Sequence, residues 1–326
     1  MRIVLAGCLV LLTGCSRYAD FTLPVLAGSP GKVTYEWTVH PSPVIPRGSD
    51  FDRVDALNPS VIRDASGALL NFYSGYDGQS WHTGIASSQD GVSWQKKGKL
   101  FSPDPSTWEG GYIAANGSSL YQPAGTLHWY QGARVPRIGL VVGSKKHGPP
   151  VLVPGPRGSW DERGVADPYV IKIGEYFYMY FLGQDRARRQ RLGVARSHDG
   201  LTWQKYRGNP ILELGAAGMF DDTGLGEPAV WSQHGWYWML YTARDRKEYR
   251  RLGLARSRDG VTWTRVSEQP VLSGTEAWNS KVVCDPTVLL DGDLVRVWFG
   301  GGDKAEPAEN LNGQIGYATL KLTLTP

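Results

Sequence analysis

The chain has 326 residues, of which 41% are hydrophobic and 11% aromatic, and it contains 13 Trp and 41 Gly. This composition can form a sizeable core and is typical of turn-rich β structure. The formal net charge of +4 is too small to indicate a nucleic-acid partner. The six His residues lack metal-ligand spacing and no nucleotide-binding glycine motif is present, so we expect neither a metal nor a cofactor.

The first 14 residues have the features of a targeting segment, with Arg2 followed by a short apolar run. The run is too short to span a bilayer as a mature helix, which favours a signal peptide over residues 1–14. Residues 12–15, Leu-Thr-Gly-Cys, resemble the bacterial lipoprotein box, which implies that Cys15 is lipidated. An ordinary secretory signal is the alternative. Because Ser16 is similar to the outer-membrane sorting pattern, the resemblance implies a lipid anchor in the bacterial cell envelope, at the outer membrane.

The mature chain divides into a tether and one domain. Residues 15–34 contain Pro and Gly without a hydrophobic period, which predicts a lipidated tether. A repeating pattern occupies residues 35–326, so we expect a single domain and a monomer. Once Cys8 is removed and Cys15 is acylated, Cys284 stands alone, which excludes a disulfide framework.

Five sequence units repeat along the domain. Asn58 to Trp94, Asp167 to Trp203 and Glu227 to Trp263 each span 36 residues. An aromatic residue stands seven positions before the first residue of each unit, in the pairs Phe51 and Asn58, Trp108 and Ala115, Trp160 and Asp167, Phe220 and Glu227, and Trp278 and Asp285. Each unit offers several short strands separated by Gly and Asp-Gly turns. This pattern predicts an all-β fold, a five-bladed β-propeller with four-stranded blades.

The fifth unit contains sequence for only three strands. The chain ends before a fourth strand, whereas an extra strand-like segment at residues 35–45 precedes the first unit. We therefore predict that the N-terminal strand joins the last blade, which closes the ring and covers two sheet edges.

The five unit starts are the candidate site. In a propeller the first strand of each blade is innermost, so these positions should surround one end of the central channel. Four of the five are followed by Pro, and a purely structural role as turn caps is the alternative. Carboxylates that converge on an aromatic pocket match the needs of glycoside cleavage, in which one acid protonates the leaving oxygen and another group activates water or attacks carbon.

These motifs resemble the five-bladed β-propeller glycoside hydrolases, which include families 43, 32, 62, 68 and 130. The resemblance covers nearly the whole mature chain, through NPSVIRDASGALLNFYSG, ADPYVIKIGEYFYMYF and GEPAVWSQHGWYWMLY. It implies that Glu227 is the general acid and that Asp167 is a supporting carboxylate. A surface-tethered glycosidase that acts on an oligo- or polysaccharide is the expected function.

The first unit departs from the family pattern. The resemblance places the general base at Asn58, but a neutral amide cannot accept a proton from water. Asp55 or Asp285 is an alternative base. Otherwise the chain is nearer to family 130, in which the third-blade Asp is the acid and phosphate is sometimes the acceptor. A non-catalytic glycan-binding propeller is the other alternative.

Basic turns accompany the acidic centre. The turns between second and third strands should project on the same side as the unit starts, and three of them carry arginines. We expect Arg134, Arg189 and Arg246 to contact a substrate such as an anionic glycan, with Trp81 and His82 as a stacking platform on blade one. Solvated hairpin tips are the alternative.

Overall fold

The computed structural model describes residues 17–325, so the predicted signal peptide and the lipidation site Cys15 lie outside the described residues. The fold is a five-bladed β-propeller. Two strands, β1 (Tyr18–Ala19) and β2 (Lys32–Val39), precede the first blade. None of the described residues belongs to a helix that could cross a membrane.

The blades follow in chain order. Blade one comprises β3 (Asp55–Arg63), β4 (Leu69–Tyr76), β5 (Trp81–Ser88) and β6 (Gln95–Phe101). Blade two comprises β7 (Ala114–Gln122), β8 (Gly125–Gly132), β9 (Arg137–Val142) and β10 (Lys145–Lys146). Blade three comprises β11 (Gly164–Ile173), β12 (Tyr176–Gln184), β13 (Gln190–Ser197) and β14 (Gln204–Tyr206). Blade four comprises β15 (Gly224–Gln233), β16 (Trp236–Arg244), β17 (Arg250–Ser257) and β18 (Thr264–Arg265). Blade five comprises β19 (Val282–Asp291), β20 (Leu294–Gly302) and β21 (Gln314–Thr325), preceded by a 3₁₀ turn at Ala277–Asn279.

The ring closes as the sequence predicted. The inner strands contact one another in cyclic order, and β19 of the last blade contacts β3 of the first. The fourth strand of blade five is β2, which pairs antiparallel with β21 and places Trp37 opposite Leu320. A further bridge joins Ile45 to Ile315. The prediction of an N-terminal strand in the last blade is confirmed.

The aromatic residue before each unit packs inside its own blade. Trp160 lies against Gly183 and Gly193 of the second and third strands, where a Cβ would collide with the indole ring. The next residue along the chain is an acid in four blades, and each acid pairs with a cation on the outer strand. These pairs are Asp52 with Lys96, Glu109 with Lys146, Asp161 with Lys205, and Asp221 with Arg265. The pairs join the innermost and outermost parts of each blade.

Three Ser-x-Asp-Gly-x-x-Trp segments, at Ser88–Trp94, Ser197–Trp203 and Ser257–Trp263, form turns in blades one, three and four at the end opposite the unit starts. In blade three the Asp199 carboxylate accepts backbone N–H groups from Leu201 and Thr202, at 2.8 and 2.7 Å. The neighbouring blade binds the same turn, because the Trp129 indole donates to the Gly200 carbonyl oxygen at 2.9 Å. These turns are structural links between blades.

The segment before β2 packs along blades three and four. Strand β1 pairs in parallel with β14, and Phe21 and Leu23 are buried in the core between the two blades. The Leu23 N–H donates to the Asp259 carbonyl oxygen at 2.8 Å. Residues 17–31, predicted as part of a tether, are therefore in contact with the end of the propeller opposite the unit starts. The sequence of this segment has no hydrophobic period, so it did not predict this packing.

Removing one member of a buried ion pair should destabilise the domain strongly. The Asp161 and Lys205 side chains are 0% and 6% exposed, whereas those of Asp20 and Arg207 are 77% and 59% exposed. Lys205→Met leaves an unpaired buried charge, so we expect the free energy of unfolding to fall by about 3–5 kcal/mol. The matched change Arg207→Met should cost less than about 1 kcal/mol, because exposed pairs contribute little. Urea denaturation measures both, and equal losses would contradict this account of the blade.

Candidate active site

Every inner strand contains the same irregularity. In each one, two consecutive residues lie opposite a single residue of the second strand, which is a β-bulge. The first bulge residue has a positive φ, between 42° and 51°, although none is glycine; the five are Asn58, Asn116, Asp167, Glu227 and Asp285. Such backbone strain in non-glycine residues is concentrated at functional sites.

The bulge corrects two predictions about the unit starts. These residues lie inside the strands rather than at their first positions, since β11 begins at Gly164 and its bulge is at Asp167. In blade two the bulge residue is Asn116, and the predicted Ala115 is buried in the strand. In blade two the bulge lies one position further from the preceding aromatic residue, Trp108, than the seven positions predicted from the repeat. Proline is suited to the second bulge position because that position forms no ladder hydrogen bond.

The five bulges surround one end of the channel and line a cavity of about 210 Å³. The cavity takes in Asn58, Asn116, Asp167, Glu227 and Asp285. The structure thus brings together five of the residues predicted for the site, namely Asp167, Glu227, Asp285, Asn58 and Trp81. Among the described residues, no group of His, Cys, Asp and Glu is arranged to hold a metal ion.

Sequence reasoning missed much of the cavity wall. The ends of second strands contribute Gln184 and Arg244, and the first residues of third strands contribute Gln190 and Arg250. Trp81 is the equivalent first residue in blade one. Aligning the segments WHTGIASS, QRLGVARS and RRLGLARS would have identified the three third-strand positions, because each segment begins at the same place in the repeat.

Burial and mutual repulsion raise the pKa of two of the carboxyl groups in the cavity. Asp167 and Asp285 are 9% and 6% exposed. Burial is the main cause that raises the pKa of Asp167 well above its ordinary value, and the charge of Glu227 adds to it. The same two causes raise the pKa of Asp285 to about 7. The positive charge of Arg250 opposes both shifts.

Hydrogen bonds hold the ring of bulges in position. The Asn116 side-chain amide donates to the Asp167 carboxylate at 3.2 Å. The Asn58 backbone N–H donates to Asp285 Oδ2 at 3.2 Å, and the Cys284 thiol donates to the same oxygen at 3.0 Å. By contrast, Glu227 Oε2 is buried and has no hydrogen-bond partner among the described residues. Glu227 as a whole is only half-buried and lines the cavity, so its carboxyl group can contact a substrate or water.

Asp55 does not lie in the cavity, contrary to its prediction as a possible base. The side chain is fully buried, and its two oxygens accept backbone N–H groups from Gly313 and Asn310, both at 2.7 Å. These donors belong to the loop before β21. Asp55 therefore holds a loop and has no free oxygen directed to the cavity.

The predicted platform on blade one is only half present. Trp81 lines the cavity, but the adjacent His82 is not part of the lining. His82 instead contacts the Asp77 carboxylate at 3.1 Å and the Ser102 hydroxyl at 2.9 Å. The physical reason is that neighbouring residues of a strand point to opposite faces.

The three predicted arginines also lie outside the cavity lining. Arg189 and Arg246 are exposed at hairpin tips and pair with Asp185 at 2.7 Å and with Asp222 at 3.2 Å. Arg134 stacks over the ring of Tyr112, which is itself a cavity residue. The turns do project on the cavity side, but the cavity arginines are at the bases of the turns rather than at their tips.

Comparison with known sequences identifies a family. A sequence model described as the glycosyl hydrolases family 32 N-terminal domain matches residues 69–271, more than half of the chain. Two curated relatives, Uncharacterized protein MT1551 and Uncharacterized protein Rv1502 from two strains of Mycobacterium tuberculosis, are each 28% identical over 161 residues. That match covers 46% of this chain, and the chain spans about half, 52%, of the length of these relatives.

Comparison with solved structures supports the fold. A structure named Glycoside hydrolase has a TM-score of 0.70 at 17% identity, over 86% of this chain and 92% of that one. A hydrolase of the GH130 family of mannoside phosphorylases, which targets β-1,2 mannosidic linkages in Candida mannan, has a TM-score of 0.65 at 17% identity. It covers 92% of this chain and 96% of that one. The β-1,2-mannobiose phosphorylase from Listeria innocua has a TM-score of 0.64 at 12% identity, over 82% and 90%.

The raised pKa of Asp285 predicts how stability changes with pH. A carboxyl whose pKa is higher in the folded chain stabilises the fold at low pH and loses that contribution as the pH rises through the folded pKa. For Asp285 the window runs from 3.8 to about 7. Relative to Asp285→Asn, the wild type should lose about 1–4 kcal/mol across this window. Urea denaturation as a function of pH measures the difference.

The control for this experiment is Asp293→Asn. Asp293 is exposed on the turn between β19 and β20, so this variant should reproduce the wild-type dependence on pH. Parallel curves for wild type and Asp285→Asn would show that Asp285 is ionised at ordinary pH in the folded protein.

Proposed function

Because the chain belongs to the glycosyl hydrolases family 32 N-terminal domain family, we propose that it cleaves a glycosidic bond with the carboxyl groups of its bulge ring. The observation that carries the proposal is the location of Asp167, Glu227 and Asp285 in one cavity, where burial raises the pKa of Asp167 and of Asp285. Glycoside cleavage requires one carboxyl group that is protonated near neutral pH and one that is ionised.

We assign the general acid to Asp167 and the base or nucleophile to Glu227. Burial and the charge of Glu227 raise the pKa of Asp167, so this group holds a proton that it can donate to the leaving oxygen. Glu227 is half-buried in the same cavity lining, so its carboxyl group can accept a proton from water or attack the anomeric carbon. This reverses the roles that the resemblance implied, in which Glu227 was the acid.

Asp285 and Asn58 take supporting roles in this scheme. One oxygen of Asp285 already accepts two hydrogen bonds, from the Asn58 backbone and the Cys284 thiol, so it is less free to react. Trp81 and Tyr112 line the same cavity and supply aromatic surface for the apolar face of a sugar ring. The substrate class that fits is an oligo- or polysaccharide.

Phosphorolysis is a second candidate, and one observation favours it. Arg244 and Arg250 both line the cavity, and guanidinium groups bind phosphate and carboxylate well. The same arginines would favour an anionic glycan. The activity screen below therefore tests inorganic phosphate as the acceptor and a charged sugar as the substrate separately.

A glycan-binding protein without activity is the third candidate, and Asn58 favours it. This position carries an amide where the family resemblance implies a catalytic Asp, and its backbone N–H donates to Asp285 Oδ2. Two buried acids are difficult to explain in such a protein, because their burial adds desolvation cost without a reaction.

We also propose that the protein is attached to a membrane through Cys15. The segment after this residue packs against the end of the propeller opposite the cavity, since Leu23 and Leu26 donate hydrogen bonds to the turn at residues 258–259. An anchor at Cys15 would therefore leave the cavity facing away from the bilayer, where a surface glycan can enter.

Changing either carboxyl group should remove activity without unfolding the protein. We expect Asp167→Asn and Glu227→Gln to lower kcat by at least about a hundredfold, the scale of acid–base catalysis. The measurement is a screen of arabinan, xylan, mannan and fructan oligosaccharides, neutral and uronate-bearing, with and without phosphate. Glu175→Gln, an exposed acid at the far end of blade three, is the control. Binding without cleavage by the wild type would overturn the enzyme proposal in favour of a glycan-binding protein.

Replacing the proposed lipidation site should release the protein from membranes. In a bacterial host, Cys15→Ser should abolish incorporation of labelled palmitate and move the protein from the detergent phase to the aqueous phase. Cys284→Ser is the matched control, because this thiol is fully buried and cannot be acylated in the folded protein. Labelling that persists in Cys15→Ser would rule out this anchor.

A further inference from the structure

We propose that the loop between β20 and β21, residues 303–313, is a fixed bridge across the mouth of the cavity that restricts the site to the ends of glycan chains. We call these residues the blade-five bridge. The inference rests on the proposed function, because it concerns which part of a glycan reaches the carboxyl groups. Pro307 and Ala308 of the bridge line the cavity directly.

The first anchor of the bridge is Asp55, at its C-terminal end. The fully buried carboxylate accepts N–H groups from Asn310 and Gly313 at 2.7 Å. Asn310 and Asn312 have positive φ values of 68° and 57°, so the chain is tightly turned around this anion. Charge-assisted hydrogen bonds of this length are strong, and they position the part of the loop nearest blade one.

The second anchor is the pair of cavity arginines on blade four. The Arg244 guanidinium donates to the Pro307 carbonyl oxygen at 3.2 Å, and Arg250 donates to the carbonyl oxygens of Glu306 and Pro307 at 3.0 Å. The bridge therefore occupies donors of both arginines. Arg244 and Arg250 thus have two roles, because they line the cavity and also hold one of its walls in place.

The third anchor reaches blade two. Glu309 accepts a hydrogen bond from the Tyr112 hydroxyl at 2.9 Å, and Tyr112 precedes the inner strand of that blade. Because the bridge starts on blade five and contacts both blade four and blade two, it passes over the sector of blade one. The bridge therefore closes the side of the mouth between these blades.

With the bridge in place, the wall of the cavity draws on all five blades. Each blade contributes wall residues, through Trp81 in blade one, Gln131 in blade two, Gln184 in blade three, Arg244 in blade four and Pro307 in blade five. An internal residue of a polymer needs two exits for the chain, one on each side. The bridge blocks one of these exits, so on this proposal the cavity of about 210 Å³ receives the end of a chain.

The test compares products and amide exchange in the full chain. With ladders of arabinan, xylan, mannan and fructan oligosaccharides, the wild type should release only the smallest products from one end. Opening the bridge should let longer chains enter. We expect Glu309→Ala and Asp55→Asn to raise the ratio of kcat/KM for polymer over trisaccharide by about tenfold, a change of about 1.4 kcal/mol. Glu175→Ala, at the far end of blade three, should leave the ratio unchanged.

Hydrogen exchange gives a readout that needs no substrate. The amides of Asn310 and Gly313 should be protected in the wild type and should exchange faster in Asp55→Asn. If Asp55→Asn does not fold, Glu309→Ala is the second variant for the same measurement. Unprotected wild-type amides, or release of mid-length products by the wild type, would overturn the bridge proposal even if the enzyme proposal holds. If the oligosaccharides bind but are not cleaved, the enzyme proposal is wrong while the bridge proposal stands. In that case an affinity that stops rising with chain length after two sugar units supports the bridge. Affinity that continues to rise with length, or no binding at all, overturns it.

Discussion

The five β-bulges at the channel end are the constraint on which the rest of the site depends. Each bulge places a non-glycine residue at a positive φ, which costs on the order of 1–3 kcal/mol. The ring must therefore be held by other contacts, and these are visible. The ladders resume after every bulge, the inner strands contact one another in a closed cycle, and side chains such as Asn116 and Thr242 hydrogen-bond the bulge residues. The distortion directs five polar side chains to one place.

That concentration of polar groups makes the site chemically useful and electrostatically expensive. Carboxyl groups brought together in a buried cavity raise one another's pKa, so at least one of them holds its proton near neutral pH. Arg250 moderates the repulsion, since it lowers the pKa of both Asp167 and Asp285. A difference in protonation between similar groups is what acid–base catalysis at a glycosidic bond requires. The strained backbone and the shifted pKa values are thus two aspects of one arrangement.

Contacts between distant parts of the chain complete the ring and add a wall to the cavity. The N-terminal strand β2 closes blade five, and residues 17–31 join blades three and four at the opposite end. The blade-five bridge crosses the mouth and connects Asp55, Arg250 and Tyr112, which belong to three different blades. A propeller built from similar units can obtain an asymmetric pocket in this way, because a single long loop breaks the fivefold pattern.

The sequence alone determined the number of blades, the closing strand and four of the five bulge residues, because spacing along the chain is preserved as long as each blade repeats the same ladder. It did not determine Asn116, since one extra residue shifts the count in blade two. Only the tertiary structure decided that Asp55 holds a loop and that His82 faces away from the cavity while Trp81 lines it. The reason is physical: the direction of a side chain depends on strand alternation and on partners more than 200 residues away, such as Gly313 for Asp55, which local sequence does not reveal.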